Sequence, residues 1–139
     1  MTPPAVVDTN VVVSGLLTGD EEAPTAVVLS GMLRRRFRFL LSVDLLAEYR
    51  SVLLRPAIRG RHGMPEGDLD DLLAEIAALA EVRHVSAVSD RERHADRHVR
   101  LLLFSCPGAV LVTGDEALRR SLPTGVEALS PRTFAARIR

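Results

Sequence analysis

The sequence has 139 residues, which is enough for one domain of ordinary size with a buried core. Hydrophobic residues make up 47% and charged residues 26%, a composition typical of globular proteins. The 18 basic and 18 acidic residues cancel, which excludes an overall basic field, so contacts with nucleic acid would have to come from a local patch. We expect residues 1–139 to form a single domain.

Cysteine content and hydropathy predict where the protein works. A lone cysteine, Cys106, cannot form an internal disulfide, and it fits a reducing compartment. The N-terminus has no basic segment ahead of an apolar run, and no apolar run approaches the ~18 residues that a membrane span needs. We therefore expect a cytoplasmic protein without a membrane segment.

The first part of the chain alternates apolar runs with helical spacing. The run Ala5–Val7 is typical of a buried strand, and it ends at Asp8. Apolar residues at helical spacing predict a helix over Ala23–Leu33. A short strand is predicted over Phe37–Leu41.

The middle of the chain is predicted to be mostly helical. Ser42 can cap the N-terminus of a helix that carries Glu48 and ends before Pro56. Three glycines, a proline and several charges predict a loop over Ile58–Asp68. A clean apolar stripe then predicts a helix over Asp70–Glu81.

The last part of the chain continues the alternation, which predicts an α/β fold. We expect a three-layer α/β/α sandwich with a mainly parallel central sheet. The predicted strands are Val82–Val88, Ala109–Thr113 and Gly125–Leu129, and the predicted helices are His94–Ser105, Glu116–Arg120 and a terminal helix that begins at Pro131.

Two acidic residues follow apolar strands directly. Asp8 and Asp115 each stand at the exit of a predicted strand. Ligands of open α/β sheets bind at the carboxyl ends of the strands, so the two acids would converge if their strands are neighbours. The alternative is that each acid only caps a helix or shapes a turn, as Asp often does.

Two further acids lie on predicted helices. Glu48 shares the helical face of Leu45 and Val52, which is expected to face the core. The alternative is that Glu48 lies at the edge of this face and reaches water or an arginine. Asp96 shares a face with Val99 near the start of its helix, where an acid could also simply complement the helix dipole.

These four carboxylates would form a hard-metal site if they met. Clustered carboxylates repel one another unless a cation neutralises them. Oxygen ligands suit Mg²⁺ or Mn²⁺ better than a soft metal. Such a site is suited to the hydrolysis of phosphodiester bonds.

At these residues the sequence resembles the PIN-domain family. Val7-Asp8-Thr9-Asn10 is similar to the Asp-Thr-Asn signature of the first strand. Leu45-Leu46-Ala47-Glu48 is similar to the second motif, in which a helix presents a glutamate. Leu111-Val112-Thr113-Gly114-Asp115 is similar to the late Thr-Gly-Asp motif. The resemblance extends from Val6 to about Phe134, and it favours the branch of toxins in VapBC-like toxin–antitoxin pairs.

This resemblance implies a function and a set of partners. It implies an endoribonuclease that acts on RNA and depends on Mg²⁺ or Mn²⁺. It also implies that a small antitoxin protein restrains the enzyme, and that the chain could form a homodimer, as family members often do. It also implies metal-binding, catalytic roles for four acids and supporting roles for three residues that orient ligands or water: Asp8, Glu48, Asp96 and Asp115, and Thr9, Asn10 and Thr113.

The third family motif departs from the usual pattern. The segment from Ser89 to Asp96 has arginine and histidine where this branch often has further acids. The departure favours a second interpretation, in which a catalytically weak PIN module binds RNA or a protein. A Rossmann-like nucleotide-binding domain ranks last, because the sequence has no glycine-rich phosphate loop.

Two other features could bind ligands. His94 and His98 are four residues apart, a spacing suited to a metal, although a pair of exposed histidines is the simpler interpretation. A basic run could bind RNA phosphates, with Phe37 placed for stacking, or could be a solvated face with Phe37 in the core. The candidate RNA-binding residues of this run are Arg34, Arg35, Arg36 and Arg38.

Overall fold

A computed structural model of the chain describes residues 3–85 and 97–139. The five strands in this part of the chain are β1 (Ala5–Val7), β2 (Leu40–Leu41), β3 (Glu81–Val82), β4 (Val110–Val112) and β5 (Ala128–Leu129). The eight helices there are α1 (Thr9–Leu17), α2 (Pro24–Leu33), α3 (Val43–Leu53), α4 (Pro56–His62), α5 (Glu66–Leu79), α6 (Arg97–Phe104), α7 (Glu116–Ser121) and α8 (Pro131–Ile138).

All the strand pairs in the described residues are parallel. Strand β4 lies between β1 and β5, and β2 pairs with β3. A parallel bridge between Ala5 and Phe39 joins β1 to the β2–β3 pair. Parallel strands require crossover connections, and the intervening segments supply them as helices that cover the sheet. The predicted α/β architecture with a parallel sheet is therefore observed.

The core lies between the sheet and its covering helices. Strands β1 and β4 are buried along their whole length, as their uninterrupted apolar sequences predict. Helices α1 and α2 pack closely at Gly15. A Cβ atom at this position would lie only 2.5 Å from the carbonyl oxygen of Thr25, so the contact requires a residue without a side chain. Tyr49 on α3 is fully buried, and its hydroxyl donates a hydrogen bond to the carbonyl oxygen of Val7 at the end of β1. The tyrosine therefore fixes α3 against the strand that carries Asp8.

Several element boundaries differ from the sequence predictions. Helix α1 was not predicted at all. Helix α5 begins four residues earlier than expected, at Glu66 instead of Asp70. The predicted strand Val82–Val88 is observed as Glu81–Val82, and positions 86–88 lie outside the described residues.

The loop predicted over Ile58–Asp68 is wrong at both ends, where α4 and the start of α5 form. Pro56 occupies the first turn of α4, where its missing N–H is no loss. Gly63 ends the helix with φ 64°, a left-handed conformation that glycine adopts without a steric penalty. The glycines and charges that predicted a loop therefore belong to α4, its cap and the first turn of α5, and only positions 63–65 connect the two helices.

The search for membrane-spanning segments agrees with the hydropathy of the sequence. Across residues 3–85 and 97–139, none of the helices has both the length and the apolar content that crossing a bilayer requires.

The Tyr49 hydroxyl gives a first prediction. Tyr49→Phe removes the donor to the Val7 carbonyl inside the core. We expect the free energy of unfolding to fall by about 1–3 kcal/mol, since a buried polar group loses its partner. Urea denaturation measures the change. Ser14→Ala, which removes an exposed hydroxyl, is the control and should change stability by less than about 0.5 kcal/mol; an equal loss in both variants would contradict the prediction.

Candidate functional site

The pairing of β1 with β4 brings two of the predicted acids to one edge of the sheet. Val7 lies beside Val112, and the amide of Asp8 continues the ladder by donating to the Val112 carbonyl oxygen at 2.9 Å. Thr113 then donates its hydroxyl to Oδ2 of Asp8 at 2.7 Å. The same Thr113 oxygen accepts a hydrogen bond from the amide of Asp115 at 3.0 Å. One hydroxyl therefore links the ends of both strands.

The Asp8 carboxylate is buried and held on both oxygens. Asp8 is only 8% exposed, and Thr113 is fully buried. Oδ1 of Asp8 accepts a hydrogen bond from the amide of Thr9 at 2.9 Å, which makes Asp8 the N-cap of α1. The positive end of the helix dipole and these hydrogen bonds stabilise the negative charge.

Asp115 is exposed and caps α7. Its Oδ1 accepts a hydrogen bond from the amide of Leu118 at 3.1 Å. The capping role that the sequence left open therefore applies to both strand-exit acids. Asp8 differs in two respects, its burial and its contact with Thr113.

Glu48 approaches the same edge from helix α3. Its side chain is 28% exposed, so it lies at the rim of the apolar face and not inside it. The Thr9 hydroxyl donates to Oε2 of Glu48. On the other side, Nε2 of His98 lies 3.6 Å from Oε1 of Glu48. Thr9 therefore links Asp8, through its amide, to Glu48, through its hydroxyl.

The ionisation of this cluster follows from its contacts. Burial opposes the charge of Glu48 most strongly, yet the contacts of His98 and Thr9 together hold the pKa of Glu48 below its ordinary value. The facing carboxylate of Glu48 raises the pKa of His98 against the effect of burial. Burial, and then the charges of Asp8 and Glu48, raise the pKa of the Tyr49 hydroxyl well above its ordinary value, so it stays a donor.

Two predicted site residues are not placed in this network by the described contacts. Asn10 is exposed, one position beyond Thr9 in the first turn of α1. Asp96 lies outside the described residues, as does His94. His98 was considered only as half of a histidine pair, and its contact with Glu48, fifty positions away, has no signal in the local sequence.

The basic run lies at the opposite edge of the sheet. The carbonyl oxygen of Arg38 accepts a hydrogen bond from the amide of Ala5, at the start of β1. Arg38 also forms a two-pronged ion pair with Glu81, with distances of 2.8 and 2.9 Å. Phe37 is buried against Phe134, which excludes the stacking role considered for it. All four arginines of the run are exposed, and among them Arg34, Arg35 and Arg36 form no ion pair with the described residues.

The donors at the carboxylate edge have the right chemistry for Mg²⁺ or Mn²⁺. Asp8 and Glu48 offer carboxylate oxygens, the type of ligand that these ions prefer. No three acidic, histidine or cysteine side chains within residues 3–85 and 97–139 are grouped as a metal site. The described donors thus fit the metal by type, and a complete set of ligands would need side-chain movement or a residue such as Asp96.

Comparisons with known proteins agree with this fold. Residues 4–117 match the family described as "PIN domain". The fold is similar to the crystal structure of PAE2754 from Pyrobaculum aerophilum, with a TM-score of 0.61 over 99% of this chain and 96% of that chain. The two sequences are 17% identical, so this likeness concerns the fold alone. No curated protein matches the sequence.

Thr113 provides the second prediction. Thr113→Val keeps the shape of the side chain but removes the donor to Asp8 and the acceptor for the Asp115 amide. We expect stability to fall by about 1–3 kcal/mol, because a buried carboxylate loses a hydrogen bond. Thr113→Ser, which keeps the hydroxyl, should retain more of the stability in the same urea titration. If Ser is more destabilising than Val, the methyl group and not the hydroxyl would be the important part.

Proposed function

The chain belongs to the PIN domain family, and on that premise we propose that it is a metal-dependent endoribonuclease that hydrolyses RNA phosphodiester bonds. The observation that carries the proposal is the network of Asp8, Thr9, Glu48 and Thr113, which joins three separate elements at the carboxyl edge of the sheet. Ligands of α/β folds bind at this edge.

The proposed ligands of the metal are the carboxylates of Asp8, Glu48, Asp96 and Asp115. Bound Mg²⁺ or Mn²⁺ would supply positive charge to a phosphate oxygen and help to ionise water. Thr9 and Thr113 hold the carboxylates in place by donating to Glu48 and Asp8. Asn10 is exposed beside Thr9, where its amide can orient the substrate or water.

The supported alternative is a PIN module that binds RNA or protein with little catalysis. The observation in its favour is the third motif, where Arg91, Arg93 and His94 stand among the acids. Basic side chains there would lower the affinity for a second metal ion by repulsion. Cleavage assays separate this alternative from the nuclease proposal.

The proposed partner is an antitoxin protein of a toxin–antitoxin pair. A shallow groove of about 430 Å³ runs along α3, the helix that carries Glu48. The residues that line it are Ala47, Arg50, Ser51, Leu54 and Arg55. A protein segment in this groove would contact Arg55, whose charge also acts on the carboxylate of Glu48. A homodimer, also implied by the resemblance, stays a prediction.

The nuclease proposal predicts a metal-dependent activity. Purified protein should cleave single-stranded RNA with Mg²⁺ or Mn²⁺, and EDTA should stop the cleavage. Asp8→Asn should lower the rate at least about a hundredfold, because the buried ligand loses its charge. The readout is the appearance of short fragments from a labelled RNA.

Asp71→Asn is the matched control for this variant, since it removes an exposed acid from α5. It should cleave at the wild-type rate. Wild-type protein that binds RNA and cleaves none with several metals would instead support the binding module. Cleavage that is unchanged in Asp8→Asn would point to a contaminating nuclease.

We also propose that Arg34, Arg35 and Arg36 bind RNA phosphates away from the cleaved bond. They are exposed and consecutive, and no ion-pair partner is found for them among the described residues. Arg35 has φ 55°, an unusual conformation for a residue with a side chain, and it forms the turn that ends α2. Because this turn precedes the start of β2, its RNA contact would be remote from the carboxylates.

Replacing all three arginines by alanine should weaken the binding of long RNA and reduce its salt dependence. Each contact between a cation and a single-stranded phosphate contributes about 0.7 to the slope of log affinity against log salt, so the slope should fall by about 2. Binding of labelled RNA in EDTA measures this without cleavage. The lysine triple variant keeps the charge and should keep the slope, whereas an unchanged slope in the alanine variant would exclude this contact.

A further inference from the structure

Glu48 is held from two sides by different helices. Thr9, in the first turn of α1, donates its hydroxyl to Oε2, and His98, near the start of α6, places Nε2 3.6 Å from Oε1. This separation is an ion-pair distance, slightly longer than a hydrogen bond, and contacts of this kind often shorten when the ligand binds. Both oxygens of Glu48 are therefore oriented by the protein itself.

The two nitrogens of His98 have different surroundings. The side chain is 17% exposed, and Nε2 faces Glu48. Nδ1 is fully buried, and no hydrogen-bond partner is found for it among the described residues. If Nε2 bound a metal, the proton would have to be on Nδ1, where a buried N–H would have no acceptor among the residues that the structure describes. Histidines that bind metals almost always donate their other N–H to a partner.

The surroundings of the ring therefore favour a proton on Nε2. An N–H at this atom points toward the carboxylate, and the buried Nδ1 is left as an acceptor without a hydrogen. The contact also ties α6, which follows the third motif, to α3.

We propose that His98 is a positioning residue that orients Glu48 toward the metal through its Nε2–H group, without binding the metal itself. This inference rests on the proposed function, because it assumes that Glu48 is a ligand. Residues that orient a ligand in this way typically contribute between tenfold and a hundredfold to metal affinity. His98 would then act on the metal through Glu48, opposite Thr9.

Three substitutions of His98 separate the effect of its N–H donor from the effects of side-chain length and side-chain volume. His98→Gln places an amide N–H close to the position of Nε2, while His98→Asn carries the same amide on a shorter side chain that does not reach Glu48. His98→Leu fills the space without any donor. We would measure the affinity of each protein for Mn²⁺ alone by calorimetry, together with melting curves in EDTA that confirm folding.

The expected result is a loss of about tenfold or more in Mn²⁺ affinity for the Asn and Leu variants. The Gln variant should remain close to the wild type. Pulsed electron paramagnetic resonance of bound Mn²⁺ should show no coupling to an imidazole nitrogen in the wild type. If the Leu variant does not fold, the Gln and Asn variants, which differ by one methylene group, still show whether an N–H donor within reach of Glu48 is needed for Mn²⁺ affinity.

Three outcomes would overturn the inference. Wild-type affinity in the Leu or Asn variant would show that His98 only fills space. A loss in the Gln variant as large as in the Asn variant would show that the N–H group at Nε2 is not the important feature. Nitrogen coupling to Mn²⁺ that is lost in the Leu variant would show that His98 is itself a ligand. Each of these leaves the proposed function intact, whereas the absence of any Mn²⁺ binding by the wild type would refute both.

Discussion

The hydrogen bond from Thr113 to Asp8 joins two residues that are 105 positions apart in the sequence. It forms because β1 and β4 are parallel neighbours, so both strands end at the same edge of the sheet. Thr113 is fully buried and Asp8 nearly so, and water therefore cannot replace either partner. The remaining geometry depends on this pair: Thr113 also holds the amide of Asp115, and Thr9, next to Asp8, holds Glu48.

The carboxylates are stabilised in two physically different ways. Asp8 and Asp115 cap helices, so backbone N–H groups and the positive end of a helix dipole stabilise their negative charge. Glu48 lies in the middle of α3, where the helix offers no free N–H group. Side chains from other elements, Thr9 and His98, fill that role. A site with several acids can therefore form in a chain whose net charge is zero.

The sequence predicted those parts of the fold whose signals are local. Strands β1 and β4 are apolar runs that end at an acid, and the cap of α3 at Ser42 forms as expected. Helix α1 was not predicted because Val11, Val12 and Val13 are β-branched and favour strands. In addition, its N-cap is Asp8, which was considered as a metal ligand. Packing of this helix against α2 outweighs that propensity, and packing cannot be inferred from spacing alone.

The altered third motif changes the negative charge of the acidic cluster around Glu48, and with it the number of metal ions that the cluster would suit. A cluster of acids needs cations in proportion to its uncompensated charge. His98 lies against one oxygen of Glu48, and the Thr9 hydroxyl lies against the other. Arg91 and Arg93 stand in the motif where further acids are usual in the resembling branch. Fewer acids in this motif leave less negative charge to neutralise, so the proposed site would suit one metal ion better than two.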